Sequence, residues 1–184
     1  MDKRKELFKK RLVAERFMKF AWSISGPVFK SYYGLLGPEV LAISSIWSMV
    51  IMLAQKKVRK NYSTLTLMKI TLTLDIIYMV CMASLAYLGN LKNLMLFEVT
   101  YDGIYILFIH ATSAKLYNEV TNRYTAKARE SLNSNMVQTD LYVNLAGLAA
   151  GGLLSVVIGI MGIIAIKLAI MCIGVYYTIK AIRD

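Results

Sequence analysis

Apolar positions run almost unbroken from Leu141 to Ile182, with Lys167 the one charge before the far end. A helix exposed to water shows a polar face, and this stretch has none. One membrane span takes about 20 residues, so the stretch predicts two spans joined by a tight turn, placed at Gly159–Gly162. The same pattern recurs upstream. Val40–Gln55 is one apolar segment, stopped by the basic run Lys56–Lys60. Leu65–Leu88 is another and ends at Gly89-Asn90; a further one starts near Leu94 and reaches Tyr117. Phe17–Leu36 is apolar and aromatic but is broken by Gly26-Pro27 and Lys30, which predicts a kinked span. Tyr32 and Tyr33 read as interfacial anchors, with Lys30 snorkelling to the same surface. Pro38 and Glu39 suit the start of the next helix. Asn118–Asp140 is polar; it predicts a partly helical connection, with Asn133, Ser134 and Asn135 as a turn before the fifth span.

The chain has 184 residues, 57% of them hydrophobic and 18% charged. That leaves too little polar surface to cover a soluble domain and is ordinary for a bundle facing lipid. A net charge of +11 would fit nucleic acid, but the basic residues sit in short clusters between apolar runs, so no nucleic-acid partner is expected. The amino-terminal stretch Met1–Lys19 holds eight basic and three acidic side chains, and its first half is expected to be helical and to lie on an anionic leaflet. The basic start, Lys56–Lys60 and the Arg123–Arg129 connection share one side of the membrane only if Phe17–Leu36 crosses it. The expected fold is therefore all-α: one polytopic domain, residues 1–184, with six transmembrane helices in a cell membrane and both termini cytoplasmic. No cleavable signal is expected, because the basic start lacks a compact apolar core and a small-residue cleavage site. Cys81 and Cys172 fall inside apolar runs and read as buried thiols, not as a disulfide or metal pair.

The chemistry of interest lies at membrane depth. Glu98 and Asp102 are four residues apart on one face of the fourth span, and Tyr105 continues that face. Thr112 follows the same line, while His110 lies about 80° away from Asp102 by helical phase. A lipid-facing carboxylate costs about 3 kcal/mol or more, so both acids are expected to face protein or a wet cavity. Asp75 on the third span has Thr71 and Tyr78 on its face. Asp75, Asp102, Tyr78 and Tyr105 are expected to line a cavity between spans three and four, with Tyr101 as a further aromatic wall. Carboxylates and aromatic faces suit a proton, a cation or an organic cation. The structural alternative is a set of hydrogen-bonded or ion-paired acids closing a seam of the bundle. On the fifth span Gly147, Gly151, Ser155 and Gly159 recur every four residues, a small-residue stripe for close helix packing. No nucleotide loop, zinc motif or nucleophile elbow is present, and His110 is the sole histidine; no enzyme activity, metal site or cofactor is expected.

One resemblance follows from the loop after the second span. Ile51-Met52-Leu53-Ala54-Gln55-Lys56-Lys57-Val58-Arg59-Lys60 resembles the cytoplasmic signature G-x-L-A-D-R-x-G-R-[RK] of the major facilitator superfamily at Leu53, Ala54, Lys56, Arg59 and Lys60. Ile51 and Val58 replace its glycines, and Gln55 replaces its acid. Arg129 stands where that family has an arginine before the fifth helix, and Asn144–Gly152 resembles its glycine-rich fifth helix. Of the family's fourth-helix signature only Gly103 matches, and the Gly-Pro pair of its antiporters is absent. The resemblance implies the amino-terminal six-helix half of such a transporter, with Lys56, Arg59, Lys60 and Arg129 in a cytoplasmic gating loop. It implies a second copy or a different half as partner, in the lipid bilayer, with a small molecule or ion as solute. The expected function is a small secondary transporter or transporter half, coupled to a cation or proton and acting as a homo-oligomer. The alternative is a non-transporting module that binds or regulates another membrane protein through the glycine stripe.

Overall fold

The computed structural model describes the backbone of residues 3–36, 38–122 and 124–183, with side chains except at 3, 4, 30–36, 38–41, 44, 45, 48, 52 and 55. Five helices fill these ranges: α1 (Lys3–Leu36), α2 (Pro38–Asn61), α3 (Thr64–Tyr87), α4 (Leu91–Thr121) and α5 (Ala126–Arg183). There is no strand among the described residues. Gly159 interrupts α5 with φ 63° and ψ −178°, a left-handed-side conformation that favours glycine, and so divides it into arms 126–158 and 160–183. Gly89, at φ 68°, turns the chain after α3, and the Asn90 side chain caps α4 by accepting from the Asn93 amide at 3.0 Å. Ser63 caps α3 in the same way through Thr66. Pro38 opens α2, as its fixed φ predicts. The side chains of Lys30, Tyr32, Tyr33 and Glu39, and residue Arg123, lie outside the described residues.

Side-chain contacts set the direction of each arm. Glu15 meets Ser113, and Phe8 packs on Leu116 and Val120, so α1 and α4 run antiparallel. Thr71 pairs with Thr112 and Thr64 with Glu119, so α3 and α4 are antiparallel as well. Lys19 pairs with Asp140 and Ile24 lies against Gly151, so the first arm of α5 follows α1; Arg11 reaches Thr178 and Ile24 packs with Ile163, so the second arm opposes it. Trp47 covers Gly103, and Lys115 reaches the carbonyls of Arg59 and Tyr62, so α2 follows α4. The six arms alternate up and down. As a result Lys5, Lys9, Lys56–Lys60, Lys127, Arg129 and Lys180 gather at one end of the bundle.

α3, α4 and α5 are long and apolar enough to cross a membrane, which marks the chain as a membrane protein. Val156, Val157 and Leu153, 87%, 80% and 75% exposed, project outward as lipid-facing side chains do and as a water-facing surface would not.

Three sequence expectations are corrected here. The amino-terminal segment is not a surface helix lying on a leaflet but part of α1, which runs unbroken from Lys3 through Pro27 to Leu36. Its buried positions Phe8, Arg11, Ala14, Met18, Ala21, Ile24 and Val28 recur every three or four residues, and α4 and the second arm of α5 cover that stripe. Asn133–Asn135 do not form a turn: they sit exposed within α5, where weak intrinsic helix preference is overridden by the continuing helix. Cys172 is exposed and Cys81 half-buried, each a free thiol.

Candidate functional site

Two ion-paired layers lie inside the bundle. Glu98 on α4 is 2% exposed, and its Oε1 accepts from the Lys167 ammonium of α5 at 2.5 Å. The Tyr78 hydroxyl of α3 donates to the other carboxylate oxygen. Lys167 is fully buried, 3.4 Å from the Trp22 ring centroid, 4.9 Å from Tyr78 and 5.1 Å from Phe29. Three aromatic faces and one carboxylate thus replace the water around its charge. The second layer is nearer the basic end. Arg11, 2% exposed, donates from Nε to Glu15 at 3.2 Å and from Nη1 to Thr178 at 3.2 Å, and Ser113 donates to the same Glu15 oxygen.

Between these layers stands Asp75, fully buried on α3. Neither of its carboxyl oxygens has a hydrogen bond, and the Tyr101 and Tyr105 hydroxyls are likewise buried without one. Tyr105 and Arg11 are its polar neighbours.

A cleft of about 1250 Å³ opens between α1, α2, α4 and the first arm of α5. Its floor is Glu15, Trp22 and Phe29 of α1 with Glu98, Asp102, Tyr105 and His110 of α4; Trp47 and Arg59 of α2 form one side, and Asn133, Asp140 and Asn144 of α5 the other. The Lys19–Asp140 pair and the Ser23–Asn144 hydrogen bond (3.0 Å) tie α1 to α5 along its edge. The cleft runs from Arg59 and Asn118 at the basic end to Phe29 and Asp102 midway along the bundle.

No protein-family model matches this chain, and no curated protein or solved structure matches it.

The predicted site residues are therefore divided. Asp102, Tyr105, Glu98 and His110 line the cleft, with Glu98 sealed at its floor by Lys167. Asp75 and Tyr78 do not line it: the cavity lies on the α1–α2 side of α4, not between spans three and four, because the α3–α4 interface is closed by Tyr78, Met82, Leu94 and Tyr101. Of the glycine stripe, Gly147 and Gly151 receive α1, at Ser23 and Ile24. Ser155 bonds the Gly152 carbonyl at 2.7 Å, and Gly159 is the turn with nothing near it, so neither extends the packing seam. Sequence reasoning missed Lys167 as the partner of Glu98, and missed Arg11, Glu15, Trp22 and Trp47 as site residues.

Lys56, Arg59 and Lys60 are exposed at the end of α2. Arg129 closes the end of α4: its Nε donates to the Thr121 carbonyl at 2.7 Å and its Nη2 to Asn122 at 2.8 Å. Carbonyls at a helix end have no intrahelical donor, so this fork fills two of them. Arg129→Ala is expected to lower stability by about 1 kcal/mol, and Arg129→Lys to restore little, because an ammonium cannot span both carbonyls. Thermal melting in detergent reads both.

Proposed function

We propose that the chain is a small secondary transporter or transporter half whose solute, a compact cation with an apolar body, binds in the cleft at Asp102. The observation that carries this reading is the cleft itself: a polar-floored cavity that runs from the basic end to the middle of the bundle, where a carboxylate and the Trp22, Trp47 and Phe29 rings line it. Secondary transporters bind substrate near the middle of the membrane, the depth that the cleft reaches at Asp102. Trp and Tyr faces beside a carboxylate attract an organic cation more than a neutral solute. In this proposal all six arms cross the membrane, and the basic end faces the cytoplasm, since positive loops are retained there. The chain then corresponds to one half of a major facilitator superfamily-like path, completed by a second copy. Gly147 and Gly151 are occupied by α1, so a partner-binding module would need a different surface from the glycine stripe.

The test uses a cysteine-free background with Cys81 and Cys172 changed to Ser. Asp102→Cys and His110→Cys are expected to react in inverted membrane vesicles with a membrane-impermeant maleimide, at rates at least about tenfold above Val156→Cys and Val157→Cys, which face lipid. Protection of positions 102 and 110 equal to that of the lipid-facing pair would remove the wet cleft and the reading with it.

A further inference from the structure

One level of the bundle holds an unusual set of buried polar atoms. Both carboxyl oxygens of Asp75, the hydroxyls of Tyr101 and Tyr105, and Nη2 of Arg11 all lack a hydrogen-bond partner. They belong to one cluster: Asp75 interacts electrostatically with Arg11 and Tyr105, Tyr101 with Asp75, and Tyr105 with Arg11 and Glu15. Buried polar groups are nearly always paired, so a cluster of open ones needs a physical reason.

Arg11 supplies it. A buried carboxylate beside a guanidinium with a free N–H closes a charge-assisted bond, commonly a bidentate one. Here Arg11 instead gives Nε to Glu15 and Nη1 to Thr178, and its Nη2 closes no bond to Asp75. That is the arrangement of a carboxyl carrying its proton. The groups that act on Asp75 directly are Arg11 from α1 and Tyr101 and Tyr105 from α4; Glu15 and Glu98 stand one step away, acting on Tyr105 and Tyr101, and the cation α5 brings to the core, Lys167, is held by Glu98.

We propose that Asp75 is a proton-carrying site and that Arg11 is its switch. With the proton on Asp75, Arg11 rests on Glu15. When the Asp75 O–H bond breaks, the proton passes by way of the Tyr105 hydroxyl to water in the cleft, and Arg11 turns Nη2 onto the carboxylate left behind. Tyr105 is suited to this relay because it faces Asp75 and also lines the cleft. Glu15, which lines the cleft too, is then left with Ser113 alone. Loss of the proton therefore uncovers negative charge in the cleft, and a proton on Asp75 and a cation in the cleft disfavour each other. This last step rests on the cleft being the solute site; the proton site and its switch do not.

Infrared difference spectra of the protein in nanodiscs, between acid and alkaline buffer and without any solute, test it. The wild type is expected to show a protonated-carboxyl C=O band that Asp75→Asn removes, that Asp75→Glu moves in frequency, and that Asp102→Asn retains. In Arg11→Gln the band is expected to persist to more alkaline buffer, because the guanidinium that receives the carboxylate is gone. A band that survives Asp75→Asn overturns the site. A band that Arg11→Gln loses over the wild-type range overturns the switch. His110 gives no carbonyl band, and neither result depends on whether the cleft binds a solute.

Discussion

Lys167→Met is expected to destabilise the protein by about 3–5 kcal/mol, the usual cost of leaving one member of a buried ion pair without its partner. Glu98 is 2% exposed, and after the change its carboxylate would keep only the Tyr78 hydroxyl. Glu98→Gln should cost a comparable amount, since the ammonium would then rest on Trp22, Tyr78 and Phe29 with its hydrogen-bonded carboxylate gone. The double change Lys167→Met with Glu98→Gln should recover most of the loss, because removing both charges also removes both desolvation penalties. Thermal melting in one detergent at one protein concentration checks all three. Additive losses in the double variant, or single losses below about 1 kcal/mol, would show that the two groups do not depend on each other.

That pair was legible in the chain, though it takes a depth argument to see it. Glu98 lies seven residues after the start of α4 at Leu91, and Lys167 eight residues after the turn at Gly159. Both helices leave the same end of the bundle in the same direction, so at about 1.5 Å per residue the two charges reach equal depth. Turn positions were legible for a simpler reason: Pro38, Gly89-Asn90 and Gly159 each carry backbone chemistry that a helix interior disfavours, and α2 opens, α3 ends and α5 breaks there. The phase of each helix was harder. Glu98 and Asp102 share a face by spacing, yet four residues turn a helix by about 40° past a full circle. That offset puts Glu98 against Lys167 and Asp102 on the cleft. Asp75 falls on the opposite side of α4, which no periodicity within α3 could show. Arg11 and Glu15 were hidden by their setting: a basic, helix-forming segment reads as surface until its buried stripe is known to be covered.

Gly151→Ala is expected to cost at least about 1–3 kcal/mol, whereas Gly152→Ala, one residue along the same helix, should be neutral or slightly stabilising. A Cβ at position 151 would overlap the Ile24 carbonyl oxygen and stand 2.8 Å from its carbon. Those are backbone atoms of α1, so no side-chain rotation can relieve the clash and the two helices must separate. At position 152 a Cβ would meet nothing within 4 Å, and alanine gains the helix preference that glycine lacks. The contrast isolates packing from propensity, and melting curves of the two variants decide it. Equal melting temperatures would mean that α1 does not lie against α5 as described. The separation also has a functional consequence, because Ile24 is one residue from Ser23, whose hydroxyl bonds Asn144 across the edge of the cleft. Pushing α1 away from Gly151 should therefore break that bond first and widen the cleft beside Trp22, so Gly151→Ala should raise maleimide labelling at Asp102→Cys even under conditions where the protein stays folded.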